Sequence, residues 1–219
     1  MKRLIAIAAL LAASTAAQAT DRFPILTPDQ MTPEQTKLIQ NLLAGPRGGG
    51  DNSPEAVNRV LRGGPFNAWL RSPAMADKLQ QVGAEVRYHS SLPARLNEFA
   101  ILITARAWNA KYEWYAHYPL ALAAGLSPNV AADLAKGKRP RGMAVDEAAV
   151  YEFTTELRRD KQVRDTTYAA VQSQFGEQGI IDLIAVSGYY DLVSMTLNVA
   201  QVATPPDGAL PLPDLPGRR

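Results

Sequence analysis

The stretch Leu92-Pro93-Ala94-Arg95-Leu96-Asn97-Glu98-Phe99-Ala100-Ile101-Leu102-Ile103-Thr104-Ala105-Arg106-Ala107 decides the fold. Pro93 opens a helix at no cost, because the first turn has no use for the N–H that proline lacks. Leu96, Phe99, Ala100, Ile101, Leu102, Ile103 and Ala105 then cover most of the helical circumference. A helix that is apolar nearly all round belongs in the middle of a core, packed by other helices.

Working outward, four further helix starts carry one device: Thr32-Pro33, Ser53-Pro54, Ser72-Pro73 and Ser127-Pro128 each place a hydroxyl N-cap before a proline. Gln35 completes a capping box with Thr32. Leu38, Ile39, Leu42 and Leu43 give the helix from Pro33 an apolar face, and Gly45-Pro46 stops it. Further helices are expected over 54–62, 73–89, 111–124, 128–135, 145–159, 166–175 after an Asp165 cap, and 178–202. No stretch alternates as a strand does, so the fold class is all-α. The loop Arg47-Gly48-Gly49-Gly50-Asp51-Asn52 reads as a flexible connection, since no strand precedes it and no Lys-Ser/Thr follows, as a phosphate-binding loop requires. The basic run from Lys136 to Arg141 reads as a solvated loop. Five prolines between Pro205 and Pro216 make residues 204–219 an extended arm or a disordered tail.

Residues 1–19 read as a cleavable signal peptide: Lys2 and Arg3, an apolar run from Leu4 to Ala13, and Ala17-Gln18-Ala19 before the cut. Removing these 19 of 219 residues leaves 200, with 21 of the 23 basic side chains set against 21 acidic ones. A neutral domain without a basic cluster is not expected to bind nucleic acid. The leader's apolar run falls short of the roughly 20 residues that span a bilayer, and no other stretch is expected to span one. The expectation is therefore a soluble domain over 20–203, periplasmic or secreted, with no membrane contact once the leader is removed. The chain has no cysteine. That excludes thiol nucleophiles, thiol peroxidase chemistry, Cys-ligated zinc and iron–sulfur clusters.

Glu98 sits on the most apolar helix, where an unpaired carboxylate is costly to bury. Glu113 and His117, four apart in Tyr112-Glu113-Trp114-Tyr115-Ala116-His117, share a face of the next helix and can supply a partner. Arg95, Asn97 and Arg106 are other partners within reach. A structural ion pair is one reading of the group. A second makes His117 a general base or acid oriented by a carboxylate. A metal site is a third, weakened by the lack of a second histidine, and no metal is assigned. His89, ahead of Ser90-Ser91, reads as a cation at a helix C-terminus. No Gly-x-Ser-x-Gly elbow occurs, which leaves serine hydrolase chemistry unsupported.

The chain resembles the carboxymuconolactone decarboxylase family, which includes the alkylhydroperoxidase D proteins. The resemblance begins near Leu61-Arg62-Gly63-Gly64-Pro65 and is densest from Leu92 to Leu102. It continues through Tyr112 to His117 and Ala124-Gly125-Leu126-Ser127, and extends to Asp165, Gly176 and Gly188-Tyr189-Tyr190. It implies an alkylhydroperoxidase D-like helical domain built around a central helical hairpin, assembled as a homo-trimer or homo-hexamer. In thiol-dependent relatives Ala110 and Glu113 would both be cysteine, whereas Glu98 and His117 carry over. The resemblance implies cofactor-independent acid–base chemistry, that of a lyase, decarboxylase or isomerase, on a small cyclic or aromatic carboxylate or lactone. Glu98, Glu113 and His117 are then the catalytic candidates. An anionic substrate calls for a cation, for which Arg62, Arg87, Arg95 and Arg106 lie near in sequence, with Arg95 taken as the candidate. Trp69, Tyr112 and Trp114, with Trp108 and Tyr115, are candidates to line an apolar pocket, plain core packing being the competing reading. The alternative function is a ligand-binding or assembly protein that lost its chemistry with its cysteines.

Overall fold

Every residue from Leu96 to Arg106 is buried in the computed structural model, which describes residues 22–206 and 210–215. The helix that carries them, here α5 (Ala94–Trp108), follows α1 (Pro33–Ala44), α2 (Pro54–Arg62), α3 (Phe66–Trp69) and α4 (Pro73–Tyr88). After it come α6 (Lys111–Ala123), α7 (Pro128–Ala135), α8 (Val145–Asp160) and α9 (Asp165–Ala200). No strand occurs among the described residues, and the protein is all-α. The signal-peptide reading lies outside the described residues.

α5 packs against α6, α7, α8 and α9, as a helix without a polar face must. It ends at Asn109, which takes the left-handed conformation (φ 52°) that asparagine tolerates better than most residues. Across that turn α6 runs back against α5. The N-terminal helices form a second layer: α1 packs on α2 and α4, α2 and α4 contact the short α3, and α4 leans on α9. One continuous core runs from Leu38 through Phe99, Trp114 and Leu183 to Leu212.

All four Ser/Thr-Pro pairs sit at helix starts, but the hydroxyls differ. Thr32 accepts from the Gln35 backbone N–H at 3.3 Å while the Gln35 side chain accepts from the Thr32 N–H at 2.9 Å. Ser53 accepts from the Ala56 N–H at 3.1 Å. Ser72 and Ser127 make no side-chain cap, so proline alone sets those starts. The helix expected after an Asp165 cap instead has Arg164 as N-cap and Asp165 as its first residue, with the Arg164 N–H donating to Glu156 at 3.2 Å. Gly176 breaks α9 with φ 65° and ψ −173°, a conformation open essentially to glycine alone.

Two parts of the structure bear on the expectations for membrane contact and for the tail. α9 is long and apolar enough to cross a membrane by length and composition, yet half of its most apolar window is buried among its neighbours. The tail, in its described part, is an extended arm with a docking site. Leu212 is buried, and the Pro213 carbonyl accepts from Arg106 Nη1 at 2.6 Å. Asp214 accepts from Asn109 Nδ2 at 2.9 Å and pairs with Lys111 at 3.0 Å. Arg106, fully enclosed on α5, thereby ties the arm to the α5–α6 turn and to the Ala135 carbonyl ending α7.

Phe99 is fully buried on α5 and stacks on Tyr151 of α8 with centroids 6.4 Å apart. Phe99→Ala is expected to lower unfolding stability by about 3–5 kcal/mol, the cost of a large core truncation, read as a shift of the urea midpoint.

Candidate functional site

Glu98 and His117 meet where α5 and α6 cross. The buried Glu98 carboxylate lies 2.7 Å from His117 Nδ1. Glu113, one turn before His117 on α6, places Oε2 3.5 Å from the other ring nitrogen, Nε2. That is ion-pair range but longer than a good hydrogen bond, and Glu113 Oε2 has no hydrogen-bond partner. Imidazole therefore lies between two carboxylates, one on each nitrogen. The Tyr190 ring of α9 meets it edge-on, centroids 4.9 Å apart.

Burial pushes the Glu113 carboxyl above its ordinary range, an effect opposed by His117, Arg87 and Arg47 and reinforced by Glu98. Burial likewise drives the Tyr190 hydroxyl well above the usual phenol range, with the Glu113 charge adding to it. With Glu98 ionised, Nδ1–H donates to it and the Nε2 lone pair faces Glu113. A proton held by Glu113 then has a short path to Nε2, while Glu98 stabilises the resulting imidazolium. Paired groups of this kind suit general acid–base chemistry. They do not suit a metal, because the carboxylates address different ring nitrogens and share no common point. Among the described residues no group of three or more His, Asp or Glu side chains is arranged to hold an ion.

His117 and Glu113 open on a cavity of about 300 Å³, the low end of ligand-pocket sizes. Its walls come from both layers: Arg47 from the α1–α2 loop, Arg59 and Val60 from α2, the Gly63-Gly64-Pro65 turn, Arg87 and Tyr88 from α4, Tyr112 from α6, and Tyr189 and Tyr190 from α9. Gly64 takes a positive φ of 64° at the mouth, and its backbone N–H bonds to the Tyr112 hydroxyl. Larger cavities lie elsewhere, but neither histidine lines them.

Of the sequence candidates, the structure brings together Glu98, Glu113, His117 and Tyr112. Glu98 stands behind His117 and does not line the cavity. Arg95 is placed elsewhere, paired with Asp146 at 2.6 Å and with Glu147. Trp114 is fully buried, stacked on Tyr118. Trp69 is a core residue whose Nε1 donates to Thr196 Oγ1 at 3.1 Å. These three do not line the cavity. Asn97 donates to the Val86 carbonyl rather than to Glu98, and Arg62 donates to Asn58. His89 is exposed at the end of α4, 2.9 Å from Glu85. Arg47 and Arg59 were not among the candidates. Arg47 carries no local signal beyond being the one charged residue between Pro46 and three glycines.

No family model, no curated protein and no solved structure matches the chain. The case for this site rests on its own geometry.

A carboxyl whose pKa is raised above its ordinary 4.5 holds its proton more tightly in the folded state than in the unfolded one. Its contribution to stability is present below pH 4.5 and is lost as pH rises through the folded value. Glu113→Gln removes that loss. Its melting temperature relative to wild type should therefore climb as pH is raised from about 4 to about 7; a difference that stays flat or falls would show that Glu113 carries no such burden.

Proposed function

We propose that this protein is a cofactor-independent acid–base enzyme of the carboxymuconolactone decarboxylase type, exported to the periplasm or beyond. In this reading it is a lyase, decarboxylase or isomerase acting on a small cyclic or aromatic carboxylate or lactone. The observation that carries the reading is His117 held between Glu98 and Glu113 at the wall of a cavity. Loss of a carboxylate as carbon dioxide leaves an enolate-like carbon that needs a proton, and in this reading Glu113, whose carboxyl burial pushes above its ordinary range, delivers it. A proton taken up from solvent through the open cavity restores Glu113, beside the Nε2 lone pair of His117, and Glu98 keeps the ring oriented. In isomerisation the same groups remove a proton and return it at another carbon.

A screen of carboxylated lactones and phenolic acids, followed by carbon dioxide release and product analysis, identifies the substrate. On that substrate His117→Ala should lower kcat by about 10²–10⁴, the usual worth of a positioned acid or base, and Glu98→Gln should lower kcat with little change in KM. Full turnover by either variant would sink these roles. Ligand retention without turnover across the screen would instead mark a binding protein.

The same reading includes self-assembly, as a homo-trimer or homo-hexamer. Its support is a stripe along α9: Ile181, Ile184, Met195 and Val199 are 63, 44, 42 and 55% exposed and recur at heptad-like spacing on one face. Gly188 lies within the stripe with open space where a side chain would be. Isolated exposed apolar residues are ordinary, whereas two exposed pairs on one face of a helix favour a surface that a second copy covers. Sedimentation should show an oligomer for the wild-type chain and a smaller species for Ile184→Glu/Met195→Glu; a wild-type monomer at micromolar concentration would refute assembly.

A further inference from the structure

Two guanidinium groups in the cavity wall have no carboxylate at ion-pair distance, although the charge of each is felt by Glu113 in the same cavity. Elsewhere Arg95 is matched by Asp146 and Glu147, Arg139 by Glu152, Arg158 by Asp191 and Arg164 by Glu156, and Arg59 on the cavity's rim by Asp51. Among the described residues Arg47 and Arg87 have no carboxylate within 4.0 Å, Glu113 acting on them only through space. Arg47 stacks over Phe66 at 5.5 Å and Tyr88 at 5.9 Å, and Arg87 stacks over the same Tyr88 at 5.3 Å. The two cations therefore flank one ring.

Arg47 is also drawn inward. It hydrogen-bonds with the Tyr189 hydroxyl, and its Nη1 is buried with no hydrogen-bond partner. Gly83 of α4 makes room for this: a Cβ there would land on the Tyr189 hydroxyl and 2.6 Å from Arg47 Nη2. A desolvated guanidinium N–H without an acceptor is costly unless a ligand supplies one.

We propose that Arg47 and Arg87 form a clamp for the carboxylate of a planar, aromatic ligand, with Arg47 setting the selectivity for the anion. The planar forks of two arginines match a carboxylate's two oxygens. Phe66, Tyr88, Tyr112, Tyr189 and Tyr190 offer faces and edges to a flat ring. Glu113 in the same cavity disfavours a doubly charged phosphate. Arg47 lies ahead of the stretch that resembles the decarboxylase family, so the N-terminal layer supplies a recognition element beyond the hairpin. The inference rests on the acid–base reading for the identity of the site, but binding is measured without turnover.

Calorimetric titration of the mature chain with benzoate, its neutral isostere benzamide, and inorganic phosphate tests it. Benzoate should bind at least tenfold more tightly than benzamide or phosphate. Arg47→Gln and Arg87→Gln should each lose tenfold or more for benzoate with benzamide unchanged, and Arg47→Lys, which keeps the charge without the fork, should recover part of the loss. Arg139→Gln, which removes a surface cation outside the cavity, should bind benzoate within about threefold of wild type. A wild-type chain that does not bind benzoate, equal binding of benzoate and benzamide, tighter binding of phosphate, or wild-type affinity in either glutamine variant that melts as wild type does would each overturn the clamp. Intact benzoate binding without turnover of any substrate counts against the acid–base reading alone.

Discussion

A carboxylate buried on the most apolar helix of a protein must find a donor, and Glu98 finds Nδ1 of His117 at 2.7 Å. That contact joins α5, around which the other core helices pack, to α6, which carries the remaining polar groups of the site. It fixes which face of α6 turns inward. Because Glu113 lies one turn from His117 on that face, it is buried too, and burial is what raises its hold on a proton. One hydrogen bond thus couples the packing of the core to the chemistry the site offers.

The C-terminal arm and the N-terminal layer finish what the α5–α6 pair begins, at opposite ends. Arg106 spends its donors on the carbonyls of Ala135 and Pro213 and on Asn109, so a charge deep on α5 closes the turn between α5 and α6 and is not available to a ligand. The N-terminal layer does the reverse. It brings Arg47, Arg59 and Arg87 to the open side of His117 and leaves Arg47 and Arg87 without a carboxylate at ion-pair distance. The molecule therefore separates cations that hold the fold from cations that face the cavity, although they look alike in sequence.

Local signals were the legible ones. Thr32-Pro33 with Gln35, and Ser53-Pro54, start helices through contacts three residues away, and those contacts are present. The interruption expected between residues 175 and 178 falls at Gly176, whose backbone conformation, open essentially to glycine alone, is seen only in the structure. Helix α3, at four residues, is too short to leave a periodic pattern, and it went unread. Trp69 and Trp114 have the composition of a pocket lining, yet they sit in the core, because an aromatic side chain has the same pattern in both places. Arg95 stands three residues before Glu98, close enough on the helix to reach it, but Asp146 and Glu147 of α8 take its guanidinium instead.

By itself the sequence determined an all-helical chain with an apolar central helix, no thiol chemistry, and Glu98, Glu113 and His117 as residues in need of one another. These follow from periodicity, from a residue count, and from the cost of burying charge, all of which act within a helix or between helices joined by a short turn. Only the tertiary structure decided that Glu113 and Glu98 take opposite nitrogens of one imidazole, that Glu98 stands behind it, and that Arg47 and Arg87 rather than Arg95 or Arg106 face the cavity. Those outcomes depend on how separate helices and a loop from the start of the chain are packed together. Side-chain direction across such distances is set by the whole core and has no expression in any local pattern.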